Sequence, residues 1–171
     1  KVSDNMAIGY EALKVHTTGP RNIAIGSYAM DDTDAGSNSL ASQDNIFIGL
    51  NTGGGTWADT QSNYNVGIGN YVMDAALNGA LYNMAMGYAA LGALTEGDGN
   101  VAIGHGAGSA LTTGGYNIML GRLAGDAMTT NNGVIAIGYQ AATDLNNNNG
   151  NYSVIIGYEA GANMTSANTN H

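Results

Sequence analysis

One short phrase recurs nine times along this chain of 171 residues: two large apolar residues flanking a third, followed by glycine. The glycines are Gly9, Gly26, Gly49, Gly69, Gly87, Gly104, Gly121, Gly138 and Gly157, at spacings of 17, 23, 20, 18, 17, 17, 17 and 19. Self-similarity at a near-constant short period is the mark of a solenoid, in which each repeat buries its apolar face only against its neighbours. Three residues before the glycine stand Met6, Ile23, Ile46, Val66, Met84, Val101, Ile118, Ile135 and Val154. One before it stand Ile8, Ile25, Ile48, Ile68, Met86, Ile103, Leu120, Ile137 and Ile156. All eighteen are large and apolar. The residue between them is mostly small, with Phe47, Met119 and Ile155 as exceptions. Period two in a run rich in Ile and Val predicts a strand. The pattern is read with the large pair facing the core and the small residue on the other face, where a second sheet or another chain can approach closely.

The rest of the phrase fits a coil. Asn precedes the glycine by four in seven repeats, from Asn5 and Asn22 to Asn100 and Asn117, and stacked amides predict a hydrogen-bonded ladder along the axis. Ten residues after it comes a second glycine in five repeats (Gly19, Gly36, Gly79, Gly97, Gly114), replaced by Asn131 and Asn148 in two more. This predicts a corner with positive φ. Seventeen residues are too few for a strand plus an ordinary helix, which leaves two short strands and two turns per coil. The spacing of Leu94, Leu111, Met128, Leu145 and Met164 also suits a single helical turn, so the second segment is open between strand and turn. The expected fold is all-β: a parallel β-roll of about nine coils, one domain over 1–171, with repeats over about 5–164 and 165–171 as a tail or link. Nine coils at ~4.8 Å each give a rod of roughly 43 Å.

Composition restricts the function classes. Net charge is −9 with only four Lys plus Arg, which argues against nucleic acid and anionic membrane surfaces as partners. No apolar run approaches the ~20 residues of a membrane span, so membrane insertion is not expected. There is no cysteine, hence no thiolate chemistry. The chain begins at Lys1, consistent with processing or with a piece of something longer. A lone roll has a thin core, and thin cores are marginal. Lateral association into a closed ring, read as a homotrimer, is the economical remedy.

The phrase N-x-A-I-G-x-x-A, as in Asn22, Ile23, Ile25, Gly26 and again in Asn100, Val101, Ile103, Gly104, resembles the head repeat of YadA-like trimeric autotransporter adhesins. It is also similar to the N-T-A-I-G-Y-Q-A-L type of repeat in bacteriophage tail fibres, and Gly138-Tyr139-Gln140-Ala141 is close to that wording. The resemblance covers essentially Asn5 to Met164. It implies a left-handed β-roll, a homotrimer, and a place outside the cell in a virion tail fibre or on a bacterial surface, with a cell-surface glycan or protein as receptor. Longer coils than those of adhesin heads favour the fibre. A self-assembling filament and an ice-binding solenoid are the other readings, the second weakened by the lack of a Thr ladder in the strands.

Chemistry is sparse. Asp31, Asp32 and Asp34 form the densest acidic cluster, a weak cation candidate whose spacing does not match an EF-hand loop. His16, His105 and His171 fall in different repeat positions. Glu11 and Glu159 share a position but lie eight coils apart, too far for the paired carboxyls of a glycosidase. The glycines of Gly104-His105-Gly106-Ala107-Gly108 lack a phosphate-binding Lys. No cofactor and no enzymatic activity are expected. The rhythm breaks in the second and third coils, in Ser37–Gln43 and in Gly53–Asp59. There Trp57, Asp59 and nearby Tyr64 are candidates for receptor contact, with Trp57 alternatively folding back over the core.

Overall fold

The computed structural model describes residues 4–16, 18–33, 41–145 and 150–162. Among these, nine strands form one parallel sheet in sequence order: β1 (Met6–Ile8), β2 (Ile23–Ile25), β3 (Ile46–Ile48), β4 (Val66–Ile68), β5 (Met84–Met86), β6 (Val101–Ile103), β7 (Ile118–Leu120), β8 (Ile135–Ile137) and β9 (Val154–Ile156). Each pairs with the next in unbroken register, Ala85 against Ala102 and Ala102 against Met119, so every repeat is one turn of a β-solenoid. The apolar triplets therefore mark the strands to the residue.

The triplet faces the opposite way from the sequence expectation. Its central residue is buried in β2 to β9, with Ala24, Phe47, Ala102, Met119 and Ala136 fully so. The flanking large residues point outward: Met6, Ile8, Met84, Met86, Ile103, Val154 and Ile156 are exposed, and the others are half-buried. Space is the physical reason. A coil this short brings its opposite wall close to the strand, and Ala residues such as Ala90, Ala107, Ala124 and Ala141 line that wall. In most coils one small side chain per strand fits between, and where Phe47 or Met119 stands there, glycines make the room: Gly53 and Gly67 beside Phe47, Gly108 and Gly125 beside Met119. The interior is filled instead from the turns, by Met30, Met73, Leu91, Leu94, Leu111, Met128 and Leu145.

The opposite wall is not a second sheet. It is a run of turns in which the second and fourth residues after the repeat glycine sit in the left-handed region, as with Ala89 (φ 52°) and Leu91 (φ 51°). Left-handed backbone costs an L-residue roughly 1–2 kcal/mol. Here it aims backbone groups along the axis, and coil-to-coil bonds result: Leu91 N–H to the Ala107 carbonyl at 3.0 Å and Gly108 N–H to that of Ala124 at 2.9 Å.

The repeat glycine has two reasons to be glycine. Gly104 has φ 140°, and a Cβ there would lie 2.4 Å from the Gly121 carbonyl oxygen. The second glycine differs from expectation. Gly97 and Gly114 are not at positive φ, but a Cβ on Gly97 would lie 2.2 Å from the Gly114 oxygen, so close stacking requires them. Gly79, at φ 85°, does follow the expected corner; Gly36 and Asn148 lie outside the described residues.

Candidate functional site

Three features line the sheet: a buried amide column from Asn5 to Asn117, an outward apolar face over all nine strands, and groups of aromatic rings in contact beside it. The column begins at Asn5, whose Oδ1 accepts from the Asn22 backbone N–H at 2.7 Å. Asn22, Asn45, Asn65, Asn83, Asn100 and Asn117 follow, each buried. Asn100 shows the pattern. Its Nδ2 donates to Asn83 Oδ1 at 3.0 Å and to the Gly114 carbonyl at 2.9 Å. Its Oδ1 accepts from the Asn117 backbone N–H at 3.0 Å and from Asn117 Nδ2 at 2.9 Å. Each amide thus ties strand to corner and coil to coil, which is the predicted ladder. It ends where the Val134 N–H donates to Asn117 Oδ1 at 2.9 Å.

His16 caps the first rungs. Its Nδ1 is 3.1 Å from Thr33 Oγ1, and its Nε2 is 3.0 Å from both the Gly19 carbonyl oxygen and Asn22 Nδ2. Burial pushes its pKa below the ordinary imidazole value, against the opposing pull of the Gly19 and Ser42 carbonyls. The folded chain therefore holds the ring neutral. Stability associated with it is full above the ordinary imidazole pKa of about 6.5 and is lost as pH falls through that value towards the lower folded one. Burial raises Asp31, Asp74 and Asp126, which acts in the opposite sense at lower pH. A chain melted at pH 5.5 is expected to unfold at a lower temperature than at pH 7.5, and His16→Gln to flatten that difference.

The sequence candidates for receptor contact are placed differently from one another. Trp57 is fully buried; its Nε1 donates to the Gly53 carbonyl at 3.0 Å, and its ring meets Phe47 edge-on at 6.1 Å between centroids. This is the core-filling alternative, and the ring has no face to offer a sugar. Phe47 in turn fills the space left by Gly67, where a Cβ would lie 2.5 Å from the Phe47 ring. The extra residues of the third coil thus bring aromatic bulk inward. Asp59 is exposed. Tyr64 is exposed and stacks on Tyr82 at 4.9 Å with planes 2° apart.

Asp31 and Asp32 are half-buried, with Thr56 Oγ1 donating to Asp32 Oδ2; Asp34, like Ser37 to Leu40, lies outside the described residues. No group of three or more His, Cys, Asp or Glu able to hold a metal is present among the described residues. No helix among them is long and apolar enough to cross a membrane.

The outward face runs along all nine strands. Over nine coils it carries eighteen large apolar side chains and no charge. Its length is ~43 Å and its width, counting the flanking residues, roughly 15–20 Å, for an area on the order of 700 Å². That exceeds the ~300–600 Å² of the largest apolar patch on typical monomers. It approaches the ~800 Å² per partner of a stable protein interface. No family model matches the chain, and no curated protein or solved structure matches it either. What these features define is a rigid, repetitive β-solenoid scaffold.

Proposed function

We propose that the chain is the rigid β-roll segment of a homotrimeric extracellular attachment fibre, most nearly of the phage tail-fibre kind. The observation that carries this reading is the uncharged outward ladder of Ile, Val, Leu and Met. An apolar strip of this size, open to water, is stabilised by a partner bearing the same strip, and cyclic symmetry sets identical residues in layers about one axis. At ~25 cal/mol per Å², burying even half of it contributes about 9 kcal/mol before the costs of association. The resemblance to adhesin heads and tail-fibre repeats supports three copies and an extracellular place. The polar, Gly-rich turns then form the outside of the fibre, with reach and stiffness as its main service.

The methionines test this. Met84 and Met86 are each 45% exposed in the single chain, whereas Met30, Met73, Met119 and Met128 are fully buried in the core. In the assembled fibre, peroxide is expected to oxidise Met84 and Met86 almost as slowly as Met119. Rapid oxidation of both, at concentrations where the protein is at work, would contradict an occupied face.

A further inference from the structure

His16 occupies a place that is apolar in the later coils. Seven residues after the repeat glycine stand Leu94, Leu111, Met128 and Leu145, all buried in the core; counted from Gly9, the same place falls to His16. In the second coil it falls to Thr33, also buried. Among the described residues of the first coil, 4–16 and 18–20, His16 carries the only buried side chain. All three residues of β1 are exposed, and Ala12 and Leu13 reach the core only in part. The first coil is therefore held to the second mainly by hydrogen bonds and one buried imidazole. Those bonds run from Met6 N–H to the Asn22 carbonyl at 2.9 Å and from Leu13 N–H to that of Ala29 at 3.0 Å. In the other direction, Gly26 N–H donates to the Ile8 carbonyl at 2.7 Å and Tyr28 N–H to that of Tyr10 at 2.8 Å.

One neutral form of the ring satisfies its neighbours, and the tautomer is assigned from them. Nδ1–H donates to Thr33 Oγ1 at 3.1 Å, and bare Nε2 accepts from Asn22 Nδ2 at 3.0 Å. The Gly19 carbonyl beside Nε2 already accepts from Asn5 Nδ2 at 2.8 Å. A second proton goes on Nε2, where it sets two donors 3.0 Å apart and puts a charge in a buried site. Burial outweighs the help of the Gly19 and Ser42 carbonyls.

The charged groups on the elements around the ring give it no partner. Glu11 and Lys14, on its own turn, pair with each other at 3.0 Å, and Arg21 and Asp44, at the next two corners, pair at 2.6 Å. Asp4 precedes β1, and Asp31 and Asp32 lie on the turn of the second coil. Among the described residues none of these carboxylates bonds to His16. Asp31, raised by burial, favours the closed coil as it protonates and so opposes His16.

We propose that His16 is an acid-released latch: the neutral ring fastens the first coil to the second, and its protonation frees residues 4–20 from β2 while the later coils stay wound. Solenoid coils are held by nearest neighbours, so one interface opens without the rest. This interface has His16 as the only buried side chain on its first-coil side, whereas the sixth and seventh coils hold Leu111 and Met128 in the same place, which acid does not alter. Opening uncovers the Gly26 and Tyr28 N–H groups and the Asn22 and Ala29 carbonyls, a bare parallel edge on which another strand can pair. A second copy on the outward face adds to the cost of opening at every pH and leaves the pH ratio unchanged, so the latch stands apart from the fibre reading.

The test is amide hydrogen exchange of the whole chain at pH 7.5 and pH 5.0, each rate corrected for the intrinsic effect of pH. Corrected exchange is expected to rise about tenfold at Met6, Leu13, Gly26 and Tyr28, under a ceiling of about thirtyfold set by an ordinary imidazole released into water. The amides of Gly104 and Gly121, each bonded at 2.8 Å to the Met86 and Ile103 carbonyls respectively, are expected to keep their corrected rates. His16→Gln and His16→Leu are each expected to remove the rise and leave the circular dichroism spectrum unchanged; His105 remains in both as an internal control. No rise at pH 5.0, an equal rise in all coils, or a rise that survives in either variant that folds would each overturn the latch. Particle mass read on the same samples separates the two proposals: a trimer whose first coil ignores pH overturns only this one, and a monomer whose first coil opens in acid overturns only the fibre.

Discussion

Asn100→Leu is expected to cost the chain about 3–6 kcal/mol. Leucine matches asparagine in size, so the substitution tests the hydrogen bonds and not the space. Four are lost: two to Asn117, one to Asn83 and one to the Gly114 carbonyl. Asn83 Oδ1 keeps the Asn100 backbone N–H and Asn117 Nδ2 keeps the Asn131 carbonyl, but the Asn117 backbone N–H and the buried Gly114 carbonyl lose these partners. Each buried polar group left unsatisfied costs roughly 1–3 kcal/mol. For a chain of this size the loss corresponds to a melting temperature lower by about 10–20 °C. Because solenoid repeats are held by nearest neighbours, the break also divides the rod, and one thermal transition is expected to become two. A shift of only a degree or two would mean that the amide column adds nothing beyond packing.

The second large effect comes from three adjacent residues of β6 (Val101–Ile103). Val101 and Ile103 face outward, and Ala102 between them is fully buried. The double change Val101→Glu with Ile103→Glu is expected to leave the circular dichroism of the folded chain intact while abolishing self-association, because six carboxylates would meet in one layer of a trimer. Ala102→Glu puts a carboxylate into a dry interior with no partner, a cost of several kcal/mol, and is expected to prevent folding of that coil. The opposite pairing of outcomes, with the double variant unfolded and Ala102→Glu folded but monomeric, would restore the orientation expected from the sequence. Circular dichroism and particle mass on the two variants decide between them.

That reversal marks where sequence reading ends. Period two locates a strand and says that alternate residues share a face, but it does not say which face is inside. Large residues normally go inward because burying them stabilises more, and Val101 and Ile103 break that habit because the coil is too thin to hold them. The signal was present in the small residue itself: Ala24, Ala85, Ala102 and Ala136 fit a confined interior as well as an interface. The strands were legible to the residue, and so was the amide ladder, since a buried polar residue recurring at one register has few other uses. The turn-built wall was not, because its left-handed residues include Leu91, Met73 and Glu159, which advertise no turn.

The candidate surfaces divide in the same way. Trp57 drew notice as the chain's one tryptophan on a Gly-rich loop, yet the inserted residues carry it inward onto Phe47. Tyr64, singled out beside it, stays exposed and stacks on Tyr82.

The most direct test of the account is the mass of the untouched protein in dilute solution, measured by light scattering or sedimentation equilibrium at micromolar concentration. A homotrimer has a mass of about 52 kDa, three times the 17.4 kDa of one chain, and that value is expected with little change on tenfold dilution. A stable mass of one chain would contradict it, for the outward ladder would then stand in water with nothing covering it.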